Sequence, residues 1–247
     1  MTKHPGALSG KVVLVTGAAK RLGRAIALAA ADNGADVAIT YHQSSSQARS
    51  VTGELARRGV EALAIRCDVT DETNVRETVE EVSSVLGGID VLVNNAANYE
   101  DVEFEKLTVQ QWDAIFASNA RGPFLVSREA LPHLRKRRGR IVNMGSLGGL
   151  RPWATHVHYC SSKAALHMLT KCMAKALAPE IAVNAVAPGV VDLGEQSAAA
   201  FMKRMAKQTP MQRNGRAADI VAAVMFFATA PSFITGQVLA VDGGLGL

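Results

Sequence analysis

The sequence predicts an α/β fold, a doubly wound parallel sheet, and three observations carry that expectation. Short apolar runs alternate with amphipathic helical stretches along nearly the whole chain, and strand–helix–strand repetition implies parallel strands joined by crossover helices. The first apolar run, Val12-Val13-Leu14-Val15, ends in Thr16-Gly17 and leads within a few residues into a helical pattern from Arg24 to Asn33. With 247 residues, the chain has the length of one such domain with a sizeable core.

Taken in order, strands are expected near 11–16, 36–41, 61–66, 89–93, 139–144, 181–187 and 237–241. Right-handed crossovers then cover both faces of the sheet. Two long helices are expected, one near 108–119 continuing to Arg135 and one over about 157–178. The segment 190–209 departs from the alternation, with Gly194, an Ala run and Phe201-Met202-Lys203-Arg204-Met205. It reads as an insertion on the substrate side of a single domain spanning 1–247.

Composition narrows the functional class. There is no run of eighteen uncharged apolar residues, and Met1 to Gly6 lacks an apolar signal core, so a soluble cytoplasmic protein is expected. Cys67, Cys160 and Cys172 form no Cys-x-x-Cys or His-containing cluster, which argues for a reduced compartment and against a metal site. The net charge of +5 is mild. The basic run Arg135-Lys136-Arg137-Arg138-Gly139-Arg140 suits the negative end of a helix dipole; its second reading is a docking patch for an acidic partner such as an acyl-carrier protein. Few aromatics, none interleaved with cations, argue against nucleic acid.

The chemistry lies in three motifs. In Thr16-Gly17-Ala18-Ala19-Lys20-Arg21-Leu22-Gly23, a glycine turn between strand and helix points backbone N–H groups and the positive dipole end at one spot, a cradle for a dinucleotide pyrophosphate. Gly17 permits the turn and Gly23 lets helix and sheet approach. The strand Arg140 to Met144 ends at Gly145-Ser146 and delivers a hydroxyl to the carboxyl edge of the sheet, where open α/β sheets bind ligands. Thirteen residues later Tyr159 and Lys163 stand four apart and share one helix face. An ammonium beside a phenol favours the phenolate, which makes Tyr159 a general acid near neutral pH.

These motifs, with Asn94-Asn95-Ala96-Ala97, Asn119, Pro188-Gly189 and the ending Ile234-Thr235-Gly236-Gln237 through Val241-Asp242-Gly243-Gly244, resemble the short-chain dehydrogenase/reductase superfamily over almost the whole chain. The resemblance implies a Rossmann sheet of seven strands in the order 3-2-1-4-5-6-7, a nicotinamide cofactor, and a homotetramer built on the two long helices with faces such as Ala164, Ala165, Met168 and Met173. It assigns Ser146, Tyr159, Lys163 and Asn119 to catalysis, Asn119 orienting a relay water. It brings Gly17, Lys20, Arg21, Leu22, Gly23, Asn95, Ala96, Ala97, Pro188, Gly189 and Val191 to the cofactor, and Asp68-Val69 to its adenine. Three departures stand out: Arg21 in place of the usual middle Gly of the turn, Ala97 where the family has Gly, and Leu193 where it often has Thr.

The second strand favours NADP(H). An NAD enzyme of this fold presents a carboxylate there to hold the ribose 2′-hydroxyl, whereas this chain has Thr40-Tyr41-His42-Gln43-Ser44 and no carboxylate until Glu54. Tyr41, His42 and Ser44 donate hydrogen bonds, and Lys20 or Arg21 can pair with a 2′-phosphate. The reading is reversible reduction of a carbonyl, a 3-oxoacyl thioester or other small ketone. A pteridine reductase is the alternative, sharing the T-G-A-A-K-R-L-G loop and the Tyr-His pair but carrying Asp where this chain has Ser146. An epimerase or dehydratase using the same Tyr, and a non-catalytic NADPH sensor, are further readings.

Overall fold

The computed structural model describes residues 6–194 and 199–247. Seven parallel strands form the sheet: β1 Val12–Val15, β2 Asp36–Tyr41, β3 Ala62–Arg66, β4 Val91–Asn94, β5 Arg140–Met144, β6 Ala182–Pro188 and β7 Val238–Val241, in the spatial order 3-2-1-4-5-6-7. Each expected strand is present within two residues at either end, and the fold is the Rossmann arrangement expected. β1 and β4 are buried at every position, as strands covered on both faces must be, which explains their unbroken Val/Leu runs.

The helices are α1 Arg21–Asp32, α2 Ser45–Ala56, α3 Glu72–Leu86, α4 Val109–Phe116, α5 Gly122–Arg137, α6 Val157–Leu177, α7 Ala199–Gln208 and α8 Ala217–Thr229. One face of the sheet is covered by α1, α2 and α8, through Ile26, Ala27, Ala30, Val51, Val224 and Phe227. The other is covered by α3, α5 and α6, through Val75, Val79, Val126, Leu134 and Ala174. The alanines of α1 keep that helix close to the sheet and to α8, and this closeness sets where its N-terminus points.

Three local expectations change. The first helix begins at Arg21, not Arg24, so Arg21 and Leu22 belong to its first turn. The helix expected from 108 to Arg135 is broken by a π-helical turn, Ala117–Arg121, centred on Asn119, whose side chain bonds outside the helix. Within 190–209, Val191–Asp192 pairs with Gly215–Arg216 in a small two-stranded ribbon apart from the main sheet, and α7 follows; residues 195–198 lie outside the described residues.

Candidate active site

The glycine turn is pinned from three sides. The Thr16 hydroxyl accepts hydrogen bonds from the Asn95 and Ala96 backbone N–H groups, each 3.0 Å. The Asn95 side-chain amide donates to the Thr16 and Gly17 carbonyls at 2.9 and 3.0 Å. From β2, the Thr40 hydroxyl accepts from Gly17 N at 3.1 Å and the Thr40 carbonyl from Ala18 N at 2.9 Å. Gly17 has φ +63, and a Cβ on Gly23 would meet Asn95 Nδ2 at 2.5 Å and the Gly17 carbonyl oxygen at 2.7 Å. Asn95 is therefore a brace of the turn as well as a residue of the cleft, and Thr16 and Thr40 are braces that motif reading passed over.

The N-terminus of α1 emerges from this brace with no side-chain cap and no acidic residue in its first turn. The positive end of its dipole thus meets no carboxylate and suits an anion. Arg21 opens the helix at φ 54, the left-handed region that disfavours a side chain by roughly 1–2 kcal/mol. Strain of that kind, held by surrounding structure, is typical of ligand clamps.

A cleft of about 480 Å³ opens beside this turn. It gathers Arg21, Leu22, Asn95 and Ala97 with Met144, Gly145 and Ser146 at the end of β5, Tyr159 and Lys163 of α6, and Pro188, Gly189 and Val191 after β6. Gly189 is pressed against Asp242, where a Cβ would stand 2.7 Å from that residue's Cβ. Lys20, Tyr41, His42, Ser44, Asp68 and Val69 do not line it. His42 and Asp68 face each other beyond the ends of β2 and β3, Nε2 to Oδ2 3.8 Å. Val69 packs against Gly122, where a Cβ would stand 3.0 Å from its Cγ2, so it also seats the start of α5. Leu193 lines the cleft in place of the familiar Thr.

Tyr159 and Lys163 meet on one side, with Nζ 5.8 Å from the phenol ring centroid. Lys163 is buried and donates to the Met144 carbonyl at 2.8 Å; burial pulls its pKa down to about 8. The Tyr159 hydroxyl sits deep enough that burial pushes its pKa up, opposed by a hydrogen bond with Ser146. The lowering of Tyr159 by Lys163 expected from their spacing is not found: burial, which penalises the phenolate, governs the phenol, and the opposing pull comes from Ser146.

Ser146 is held by a histidine that no motif flagged. Its backbone N–H donates to His167 Nε2 at 3.4 Å and its hydroxyl accepts from Gly148 N at 3.0 Å. The His167 ring fills the space between Gly145 and Gly149, where a Cβ would come within 2.2 and 2.7 Å of it. Burial holds its pKa near 4, assisted by repulsion from Lys163, so the ring is neutral and Nε2 accepts. Its place one turn after Lys163 on the same helix face was the available signal.

Asn119 is buried and lies outside the cleft lining. It donates to the Asn98 carbonyl at 2.9 Å and to Ser162 Oγ at 3.1 Å, and accepts from Asn98 N at 2.8 Å. Its side chain fastens the loop after β4 to α6. That loop carries Tyr99, whose ring stands edge-on to Tyr159 with centroids 5.0 Å apart.

Among the described residues, no group of three or more His, Cys, Asp or Glu could hold a metal ion, and no helix is long and apolar enough to cross a membrane.

The sheet order and the grouping of Ser146, Tyr159 and Lys163 beside a glycine turn define a class, and the sequence comparisons agree: the chain belongs to the short-chain dehydrogenase/reductase family of oxidoreductases. Residues 17–246 match the family model described as Enoyl-(Acyl carrier protein) reductase. The 3-oxoacyl-[acyl-carrier-protein] reductase FabG of Staphylococcus aureus is 38% identical over 240 residues, 95% of this chain and 98% of that one. The FabG of Aquifex aeolicus is 36% identical over 244 residues, 96% and 98% of the two chains. Among solved structures, a double mutant of a Serratia marcescens short-chain dehydrogenase/reductase superposes with a TM-score of 0.91 at 35% identity, covering 99% of this chain and 100% of that one. A short-chain type dehydrogenase/reductase from Mycobacterium marinum gives 0.90 at 34%, covering 96% of each.

Proposed function

We propose that this chain, as one domain over 1–247, is an NADPH-dependent reductase that converts a carbonyl to an alcohol reversibly, with 190–209 on the substrate side. The observation that carries the reading is the convergence of Ser146, Tyr159 and Lys163 in a cleft whose wall includes the uncapped first turn of α1. An anionic dinucleotide fits that turn: its first helical turn lacks a carboxylate that would repel phosphate, and Gly17 and Gly23 let the turn close against Ala96 and Asn95. Arg21 and Lys20 would hold a 2′-phosphate with Tyr41, His42 and Ser44, and Asp68 and Val69 would border the adenine. Ala96, Ala97, Pro188, Gly189 and Val191 would border the nicotinamide end. The bound cofactor supplies a hydride equivalent.

The residues of the chain supply the rest. Ser146 holds the substrate oxygen, positioned through its backbone by His167. Tyr159 gives that oxygen its proton; its raised pKa in the buried site makes the phenol a weaker acid than spacing alone suggests, and Ser146 partly offsets this. Lys163, fixed on the Met144 carbonyl, would support Tyr159 and hydrogen-bond the cofactor ribose with its remaining donors. Because the Asn119 side chain is spent on Asn98 and Ser162, its part in a proton relay falls to its main chain in the π turn.

The relatives named as 3-oxoacyl-[acyl-carrier-protein] reductases favour 3-oxoacyl thioesters, and the basic end of α5 suits an acidic carrier protein. A homotetramer built on α4, α5 and α6 is part of the proposal. Ala164 and Met168 are exposed one helical turn apart, free to meet another copy, whereas Met173 packs against the core. The test is oxidation of NADPH and NADH at 340 nm with 3-oxoacyl thioesters, simple ketones, quinones and dihydropterins. A rate with NADPH and one ketone class supports the reading. Tight NADPH binding without turnover supports a sensor, and turnover of dihydropterins alone supports the pteridine alternative.

A further inference from the structure

The substrate end of the cleft carries a polar pair that the proton chemistry does not use. Tyr99 and His156 both line it. The Tyr99 hydroxyl and His156 Nε2 are hydrogen-bonded, their rings 4.9 Å apart at 35°. On its other side, His156 Nδ1 bonds Thr155 Oγ1 at 3.0 Å. The Val102 N–H donates to the Thr155 carbonyl at 2.8 Å, tying the two loops that carry the pair. Burial lowers the His156 pKa against the pull of Asp101, so at neutral pH the imidazole is uncharged and one nitrogen accepts while the other donates.

This arrangement leaves the phenol oxygen of Tyr99 with hydrogen-bonding capacity to spare. If Nε2 accepts from Tyr99, the phenol oxygen keeps lone pairs for a hydroxyl; if Nε2 donates to it, the phenol O–H is free for a carbonyl. Thr155 can serve either state, since a hydroxyl donates or accepts. The wall nearby is apolar, with Trp153, Val190 and Phe201 packed on Leu147 and Met205. The cations among the described lining residues are Arg21 and Lys163, one in the glycine turn and the other committed to Met144. Among the described lining residues, an anionic group on the substrate finds no counter-charge at this end.

We infer that Tyr99, oriented by His156, is a specificity determinant for the second oxygen function of an uncharged substrate that carries a carbonyl or hydroxyl beside the carbonyl being reduced and an apolar tail. The inference rests on the reductase reading for its reaction, but not for its binding test.

The probes are ethyl 3-oxobutanoate, which has the second oxygen function, and 2-hexanone, which lacks it. Binding is read from the fluorescence of Trp153 in the cleft, and turnover separately from NADPH oxidation. Tyr99→Phe should weaken binding of the oxo ester about tenfold, the worth of one hydrogen bond of about 1.4 kcal/mol, raise its KM in step, leave kcat within about twofold, and leave 2-hexanone unaffected. His156→Ala should reproduce Tyr99→Phe, while His156→Gln, which keeps a donor and an acceptor, should restore most of the affinity. Equal losses for both probes, or none for the oxo ester, overturn the inference. Absence of turnover with the binding pattern intact overturns the reductase reading alone.

Discussion

The two ends of the cleft are built from different materials. At the glycine-turn end the contacts are main-chain groups and small residues: Thr16, Asn95 and Thr40 spend their side chains on backbone atoms, and Gly17 and Gly23 matter for what they lack. At the other end the surface consists of side chains on loops and a short helix: Tyr99, Trp153, His156 and Phe201. A backbone-built end tolerates few substitutions, because its part-buried side-chain hydrogen bonds are spent on main-chain groups. A side-chain-built end can exchange its residues while the fold remains. The difference marks the end of this cleft whose side chains can change without disturbing the fold.

Five changes test that contrast. The largest effect is expected at the junction of the two ends: Tyr159→Phe should reduce kcat by roughly 10²–10⁴, the usual loss of a general acid, with unfolding midpoints unchanged. A near-normal rate would remove Tyr159 from the chemistry. Next, Gly23→Ala should cost about 1–3 kcal/mol by overpacking against Asn95 and Gly17 and weaken NADPH binding together with stability, as urea titration and cofactor titration would show. Phe201→Ala, at the other end, removes a partly buried ring from the Leu147 and Met205 cluster; it should cost less than Gly23→Ala, about 1 kcal/mol, and act chiefly on KM for apolar substrates. If Phe201→Ala proves the more disruptive of the two, the contrast fails.

His167 offers a pH test of the floor between the ends. Folded, it takes up a proton only near pH 4, against an ordinary value of 6.5. The unfolded chain therefore binds more protons across that window, and stability present above pH 6.5 is lost as pH falls toward 4, by up to about 3 kcal/mol. His167→Gln should flatten this part of the stability–pH curve, and an unaltered curve would remove His167 as its source. The last change, Arg21→Gly, acts on cofactor choice. It removes the side chain held at φ 54 and should reduce the preference for NADPH over NADH by about tenfold, read as the ratio of kcat/KM for the two cofactors.

The sheet was legible because its signals are local. Buried parallel strands read as apolar runs, and the order 3-2-1-4-5-6-7 followed from the family resemblance. The glycine turn, Ser146, Tyr159 and Lys163 were legible as spacings. The bracing roles of Thr16 and Thr40 were not legible because their partners, Asn95, Ala96 and Gly17, become neighbours only in the fold. Tyr99 and His156 stand on separate loops and become a pair only when Val102 bonds to Thr155. The π turn at Asn119 resembled continuous helix because its cause, the hydrogen bonds to Asn98, lies twenty-one residues away.

By itself, then, the sequence determined the doubly wound sheet, the positions of its strands, and the face of α6 on which Tyr159 and Lys163 stand, since these depend on periodicities that neighbouring residues share. Only the tertiary structure decided the electrostatics and the bracing: that burial rather than Lys163 governs the Tyr159 pKa, that His167 stays neutral beneath Ser146, and that Asn119 is committed to a loop. The reason is physical. Desolvation and long-range hydrogen bonds depend on which distant residues exclude water from a group, and that is settled when the layers close on one another.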